Sequence, residues 1–400
     1  MSSPLLERHP ATIKRPGVDA NESSSMTRIT PSPYRLRWAD YSRGISILLV
    51  VFAHVRSGLI HSGLFANADT FVTYSRTLTV CAMPLFFFMS GMFVRSALRK
   101  PFREFVSEKL STIAYPYVIW STIYYVLAAV FAGETYNKLN LGDLWTIVYL
   151  PVVGYWFLHA LFSMMLIYAV AAKLRMAPAA IFGATVLLYV SQYAWPHALD
   201  GTALEALREN LPYFALGAIV NRGRPTQVLS EARPILLLCL VVCGLGVSCF
   251  AAVHGWFEQP ALKPLGAVPG AIGLMSLAIV LERKTLFRCL PYVGRHSLPI
   301  YVAHVLGLTA TRVVLHKMLG IDNLWLHFIV GMSGGIASAI LLYRLTLATG
   351  FTFLYSFRRE PRKGTHASEV GSPAELSPLP DRVAREPRSS ACAASRAGRG

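Results

Sequence analysis

From about residue 42 the chain runs in long apolar blocks, broken by short polar or Gly/Pro-containing turns. Ten blocks reach spanning length, at about 42–59, 77–97, 110–132, 150–172, 177–195, 207–221, 234–254, 265–281, 295–315 and 324–352. A helix that crosses the hydrocarbon core needs roughly 20 mainly apolar residues. A soluble amphipathic helix would show one apolar stripe instead of continuous blocks. The sixth block is short, with Pro212 near its start, and the tenth is long enough to run past the membrane. The pattern predicts an all-α fold, a polytopic membrane protein with about ten transmembrane helices. Outside 34–355 it dissolves into Ser, Pro and charge, so 1–33 and 356–400 are predicted to be disordered basic tails on the cytoplasmic side. The first 39 residues lack the apolar core of a signal peptide.

Composition supports this class. Of the 400 residues 54% are hydrophobic and only 15% charged, against about 25% charged in soluble domains. The formal charge of +17 would suggest nucleic acid if it lay on a soluble surface. Here the basic residues sit in loops, which points to topology and away from nucleic acid. Arg95, Arg99, Lys100, Arg103 and Lys109 follow the second span. Lys173 and Arg175, then Arg222, Arg224 and Arg233, then Arg283, Lys284 and Arg288 occupy the next even loops. The odd loops after the first hold Lys138, Lys263 and Lys317, while Arg56, Arg76, Arg208 and Arg312 lie at span ends on that side and weaken the contrast. The positive-inside rule places both termini and the even loops in the cytoplasm, as expected of an inner (plasma) membrane protein. The six cysteines form no CxxC pair and no Cys/His cluster, so neither a disulfide framework nor a metal site is expected.

The ionisable residues inside the blocks carry the chemistry. No Asp or Glu lies in the middle of any span, which counts against a proton- or sodium-coupled transporter. Histidines do: His54, His159 and His304 lie in spans one, four and nine. A neutral imidazole is cheaper to bury than a carboxylate and exchanges a proton near neutrality. His54 stands eleven positions after Arg43, in the stretch "DYSRGISILLVVFAHV". Eleven helical steps come within about 20° of whole turns and span about 16 Å, so both side chains share one face. Asp40, three residues before Arg43, is placed to pair with it. The alternative for this stripe is a snorkelling arginine and an unrelated polar contact.

Several stretches then resemble one family. "WADYSRGISILLVVFAHV" is similar to the first helix of the acyltransferase 3 family of integral membrane acyltransferases, in its sugar O-acetylase-like branch. "MPLFFFMSGMFVRSALRK" resembles the second helix and basic loop. "YPYVIW", "YWFLHALF", "LPYFALGAIV" and "YVGRHSLPIYVAHV" follow in the family's order. The resemblance implies transfer of an acetyl or other short acyl group, from acetyl-CoA as donor substrate, to a hydroxyl of a cell-surface or lipid-linked glycan. It maps the family's essential Arg and His onto Arg43 and His54. It departs from the family at the third helix, where an Arg-x-x-Arg motif is replaced by Lys109 and Thr112 in "SEKLSTIAYPY".

This reading makes His54, Arg43 and Asp40 the catalytic candidates. His54 would serve as general base, Arg43 would meet the anionic donor, and Asp40 would fix Arg43. Arg95, Arg99, Lys100, Arg103 and Lys109 join Arg43 as candidate donor-binding cations. Two polar faces are candidate tunnel linings: Ser297, Tyr301 and His304 on one helix, Trp156 and His159 on another. Polar glue between helices is the competing role for both faces. Expected partners are acyl-CoA, a glycan or glycolipid acceptor, the lipid bilayer and, as a candidate, a separate periplasmic transfer protein. The other function class compatible with the sequence is a transporter or flippase of a glycan or lipid intermediate.

Overall fold

The structure, a computed structural model, describes residues 36–64, 69–130, 141–152, 154–195, 199, 202–220 and 224–357. The expectations for the tails 1–33 and 356–400 lie outside these residues, except at 356 and 357. Every regular element among the described residues is helical. The longer helices are α1 (Arg37–His61), α2 (Asp69–Ala97), α3 (Phe102–Val130), α4 (Trp156–Lys173), α5 (Pro178–Val190) and α6 (Ala203–Val220). They continue through the short α7 (Arg224–Glu231), α8 (Pro234–Val253), α9 (Lys263–Arg283), the short α10 (Leu290–Arg295), α11 (Ser297–Met318) and α12 (Leu324–Thr349). Helix α3 carries a π-helical turn at Leu110–Ala114, and α11 ends in one at Val313–Met318.

Eight of these helices are long and apolar enough to cross a membrane. The protein is a polytopic membrane protein of all-helical class. The fifth and sixth expected spans are helices too, but fall short of that measure. Helix α5 has 13 residues, or about 20 Å against a hydrocarbon core of about 30 Å. Helix α6 carries Glu205, Arg208 and Glu209 in its first half and Pro212 within it.

Helix α1 is the hub. It packs against α2, α9, α10, α11 and α12, and Ile47, Val51 and Tyr41 on it are fully enclosed. Lipid supplies no hydrophobic drive between helices, so close approach depends on small residues. Gly44 faces the Leu290 carbonyl and Gly294 faces the Asp40 carbonyl, locking α10 onto the Asp40–Gly44 turn. Gly91 and Gly217 face each other's helices in the same way, each against a backbone carbonyl, where α2 crosses α6.

Candidate functional site

Arg43 and His54 lie on one unbroken helix, α1, so their spacing is the regular helical rise of about 16 Å. At the Arg43 end, Asp40 is buried and one of its carboxylate oxygens stands 3.5 Å from the guanidinium. The guanidinium also lies over the Phe93 ring of α2, 4.8 Å from its centroid. Arg43 is thus held from one side by charge and from another by an aromatic face, while 33% of its side chain stays open.

The predicted donor cations lie on the same side of α2 and α3. Arg95, Arg99 and Arg103 are exposed. Lys100 bonds Glu108 at 2.7 Å and lies 3.7 Å from Glu104. The hydrogen bond and charge of Glu108 hold the Lys100 ammonium above its ordinary pKa. Lys109 pairs with the other oxygen of Glu108 at 2.8 Å and sits over Phe105. Arg99 and Arg103 are therefore the more open cations of this loop, and Lys109 is largely engaged within it.

At the other end of the stripe His54 is half-buried. Its Nδ1 lies 2.8 Å from the Val50 carbonyl one turn back. A carbonyl only accepts, so Nδ1 carries the proton and Nε2 presents a bare lone pair. The His54 ring meets that of His304 on α11, centroids 4.9 Å apart and planes at 81°. Tyr301 is one turn away on α11, its ring 6.1 Å from His304. Its hydroxyl accepts the Phe157 backbone N–H at 3.3 Å. Ser297 opens the same helix, half-buried.

The second expected face joins this cluster only in part. Trp156 packs on Phe87 and Phe157, and Phe157 packs on Tyr301, so Trp156 borders the site. His159 turns elsewhere: its Nε2 donates to the Val148 carbonyl at 2.9 Å and its ring meets Tyr117. Tyr155 is 1% exposed and donates its hydroxyl to the Val302 carbonyl at 3.0 Å. It ties α4 to α11. Among the described residues, no three His, Cys, Asp or Glu side chains gather as a metal would require.

One neighbour was missed from the sequence. Phe93 beneath Arg43 lay in the quoted second-helix motif, where nothing distinguished it from Phe86, Phe87 and Phe88.

The unbroken stripe of α1 thus carries a cation at one end and, about 16 Å along, an imidazole whose Nε2 lone pair is bare. The acyltransferase domain of the acyltransferase 3 family matches residues 36–344. The chain belongs to the acyltransferase 3 family. It is an acyltransferase of the membrane, working between an acyl donor and an acceptor. Nodulation protein NolL of Mesorhizobium japonicum is 27% identical to it over 285 residues, covering 67% of this chain and 72% of that protein. No solved structure matches the chain.

Proposed function

We propose that this acyltransferase moves an acetyl, or another short acyl, group from cytoplasmic acyl-CoA to a hydroxyl of a cell-surface or lipid-linked glycan. The observation that carries the reading is the stripe of α1. It sets a cation at the end where basic residues gather and a proton acceptor about 16 Å further along. Similarity to a nodulation protein is compatible with a glycan acceptor. CoA is an anionic phosphorylated nucleotide on a long thin arm that ends in a thioester. Arg43, steadied by Asp40 and Phe93, meets its phosphates, with Arg95, Arg99, Lys100, Arg103 and Lys109 as the surrounding basic field. The arm runs along the stripe and brings the thioester to His54.

His54 Nε2 takes the hydroxyl proton as the oxygen attacks the thioester carbon. The tetrahedral intermediate collapses, the C–S bond breaks, and the thiolate recovers the proton from His54. The products are an ester and free CoA thiol. General base catalysis of this kind contributes roughly 10²–10⁴-fold.

The test supplies acetyl-labelled acetyl-CoA to membranes containing the protein and follows alkali-labile label on glycan. His54→Ala is expected to lower transfer by about 10²-fold or more with normal insertion. Movement of a glycan intermediate without new esters would overturn the reading in favour of a flippase.

A further inference from the structure

Beside His54 stands a buried group to which the proposed mechanism gives no task. His304 is 0% exposed, and its Nε2 has no hydrogen-bond partner. Its Nδ1 is committed to the Ile300 and Tyr301 carbonyls at 2.9 and 2.8 Å. As in His54, the proton must therefore sit on Nδ1 and leave Nε2 a bare acceptor. Two bare acceptors thus belong to rings in edge contact, with centroids 4.9 Å apart. A buried polar atom without a partner is rare in a folded protein and calls for an explanation. What this pair lacks is one proton, and the attacking hydroxyl gives one up in mid-reaction.

We propose that His304 is the positioning partner of His54: once His54 is protonated on Nε2, the His304 lone pair holds that N–H until the thiolate takes the proton back. The proposal rests on the reading of His54 as base. Its balance is simple. The hydroxyl O–H bond breaks and an N–H bond forms on His54. The C–O bond forms and the C–S bond breaks. The N–H proton ends on sulfur, and His304 starts and finishes neutral.

Histidine suits this position for a physical reason. Ser-His-Asp enzymes steady the imidazolium with a buried carboxylate. A carboxylate at mid-membrane would be an unpaired charge through most of the cycle. A neutral imidazole offers an acceptor lone pair with no standing charge. Among the described residues, the charged and titratable groups on the elements packed about the pair include Arg56 on α1, Tyr301 and Arg312 on α11, Tyr155 before α4, Tyr117 on α3 and His327 on α12. Each is already bonded. Arg56 donates to Ser75 Oγ, Arg312 to the Gly58 carbonyl, Tyr155 to the Val302 carbonyl and Tyr117 to the Ile147 carbonyl. Tyr301 accepts from the Phe157 N–H and His327 donates to the Ile321 carbonyl. None of them is an anion.

The experiment uses the full chain in lipid nanodiscs with ¹⁵N-labelled histidine. His54 is titrated by NMR, and acyl transfer from acetyl-CoA is measured in parallel. His304→Phe keeps a ring but removes the lone pair. It should move the His54 midpoint to lower pH by about one unit, because the protonated form loses its acceptor. Turnover should fall about tenfold with the KM for acetyl-CoA unchanged, the same difference read as a rate. His304→Gln restores an acceptor oxygen and should recover much of both. An unmoved midpoint in His304→Phe overturns the proposal, as does a fall in turnover that His304→Gln does not relieve. Should His304→Phe fail to fold, His304→Met is read the same way. Because the titration needs no substrate, absence of acyl transfer by the wild-type protein would sink the functional reading separately.

Discussion

Arg43 takes its register with His54 from helix α1 and is held by the charge of Asp40 and the face of Phe93. The register was legible because both residues lie on one helix, where geometry is local. The Asp40 contact was legible for the same reason. The Phe93 contact was not, since it depends on how α2 crosses α1. Arg43→Ala is expected to raise the KM for acetyl-CoA about tenfold or more, the effect of losing a charge-assisted phosphate contact. Arg43→Lys should keep the charge but lose the planar fork, giving an intermediate KM. Initial rates against donor concentration check both. Near the end of the described chain, Tyr355 is buried beside Trp120 and Tyr343, and its hydroxyl has no partner. Tyr355→Phe should therefore leave stability unchanged or raise it by about 1 kcal/mol, read from thermal unfolding in detergent.

At the level of elements, the crossing of α2 and α6 is set by Gly91 and Gly217. A Cβ on either would run into the other helix's backbone, at the Phe214 or Phe88 carbonyl. Backbone cannot yield as a side chain can, so Gly217→Ala should destabilise by about 1–3 kcal/mol or more. Gly246→Ala on α8 meets nothing within 4 Å and should not destabilise; comparing unfolding temperatures of the two variants separates a crossing effect from a helix effect. Helix α12 ends where Gly350 takes φ +80°, the left-handed conformation that closes helices at glycine. The tenth expected span, drawn to 352, thus stops at Thr349. The chain then folds back on α3: Trp120 donates to the Leu354 carbonyl at 2.9 Å, and the Ser111 and Ser356 hydroxyls meet at 2.8 Å. Ser111 lies in the π-helical turn of α3. Hydropathy marked this stretch only as part of the third span, because a one-residue bulge leaves the apolar pattern intact.

For the whole molecule, the proposed orientation rests on charge. Four arginines on the side expected to be external had weakened the positive-inside contrast. Each is bound within the protein. Arg56 and Arg312 hold Ser75 and the Gly58 carbonyl, Arg208 the Trp195 carbonyl, and Arg76 pairs with Glu258. These contacts give the four a structural role, and the proposed orientation, with Arg95, Arg99 and Arg103 on the cytoplasmic side, rests on the remaining loop cations. A cysteine at Arg99, in a cysteine-free background, should react with an impermeant maleimide only after the cell membrane is opened. A cysteine at Trp145 should react in spheroplasts without that step, and the reverse pattern would invert the proposed topology. The sequence by itself determined the helical membrane class, the family and the Arg43–His54 stripe, since these follow from hydropathy, motif order and the geometry of single helices. Tertiary structure alone decided that His304 meets His54, that His159 turns to Tyr117 and that Phe93 underlies Arg43. The reason is physical: apolar helices share a nearly uniform surface, so polar groups on different spans can be matched in many ways. Only the packing of glycine notches and side chains selects one of them.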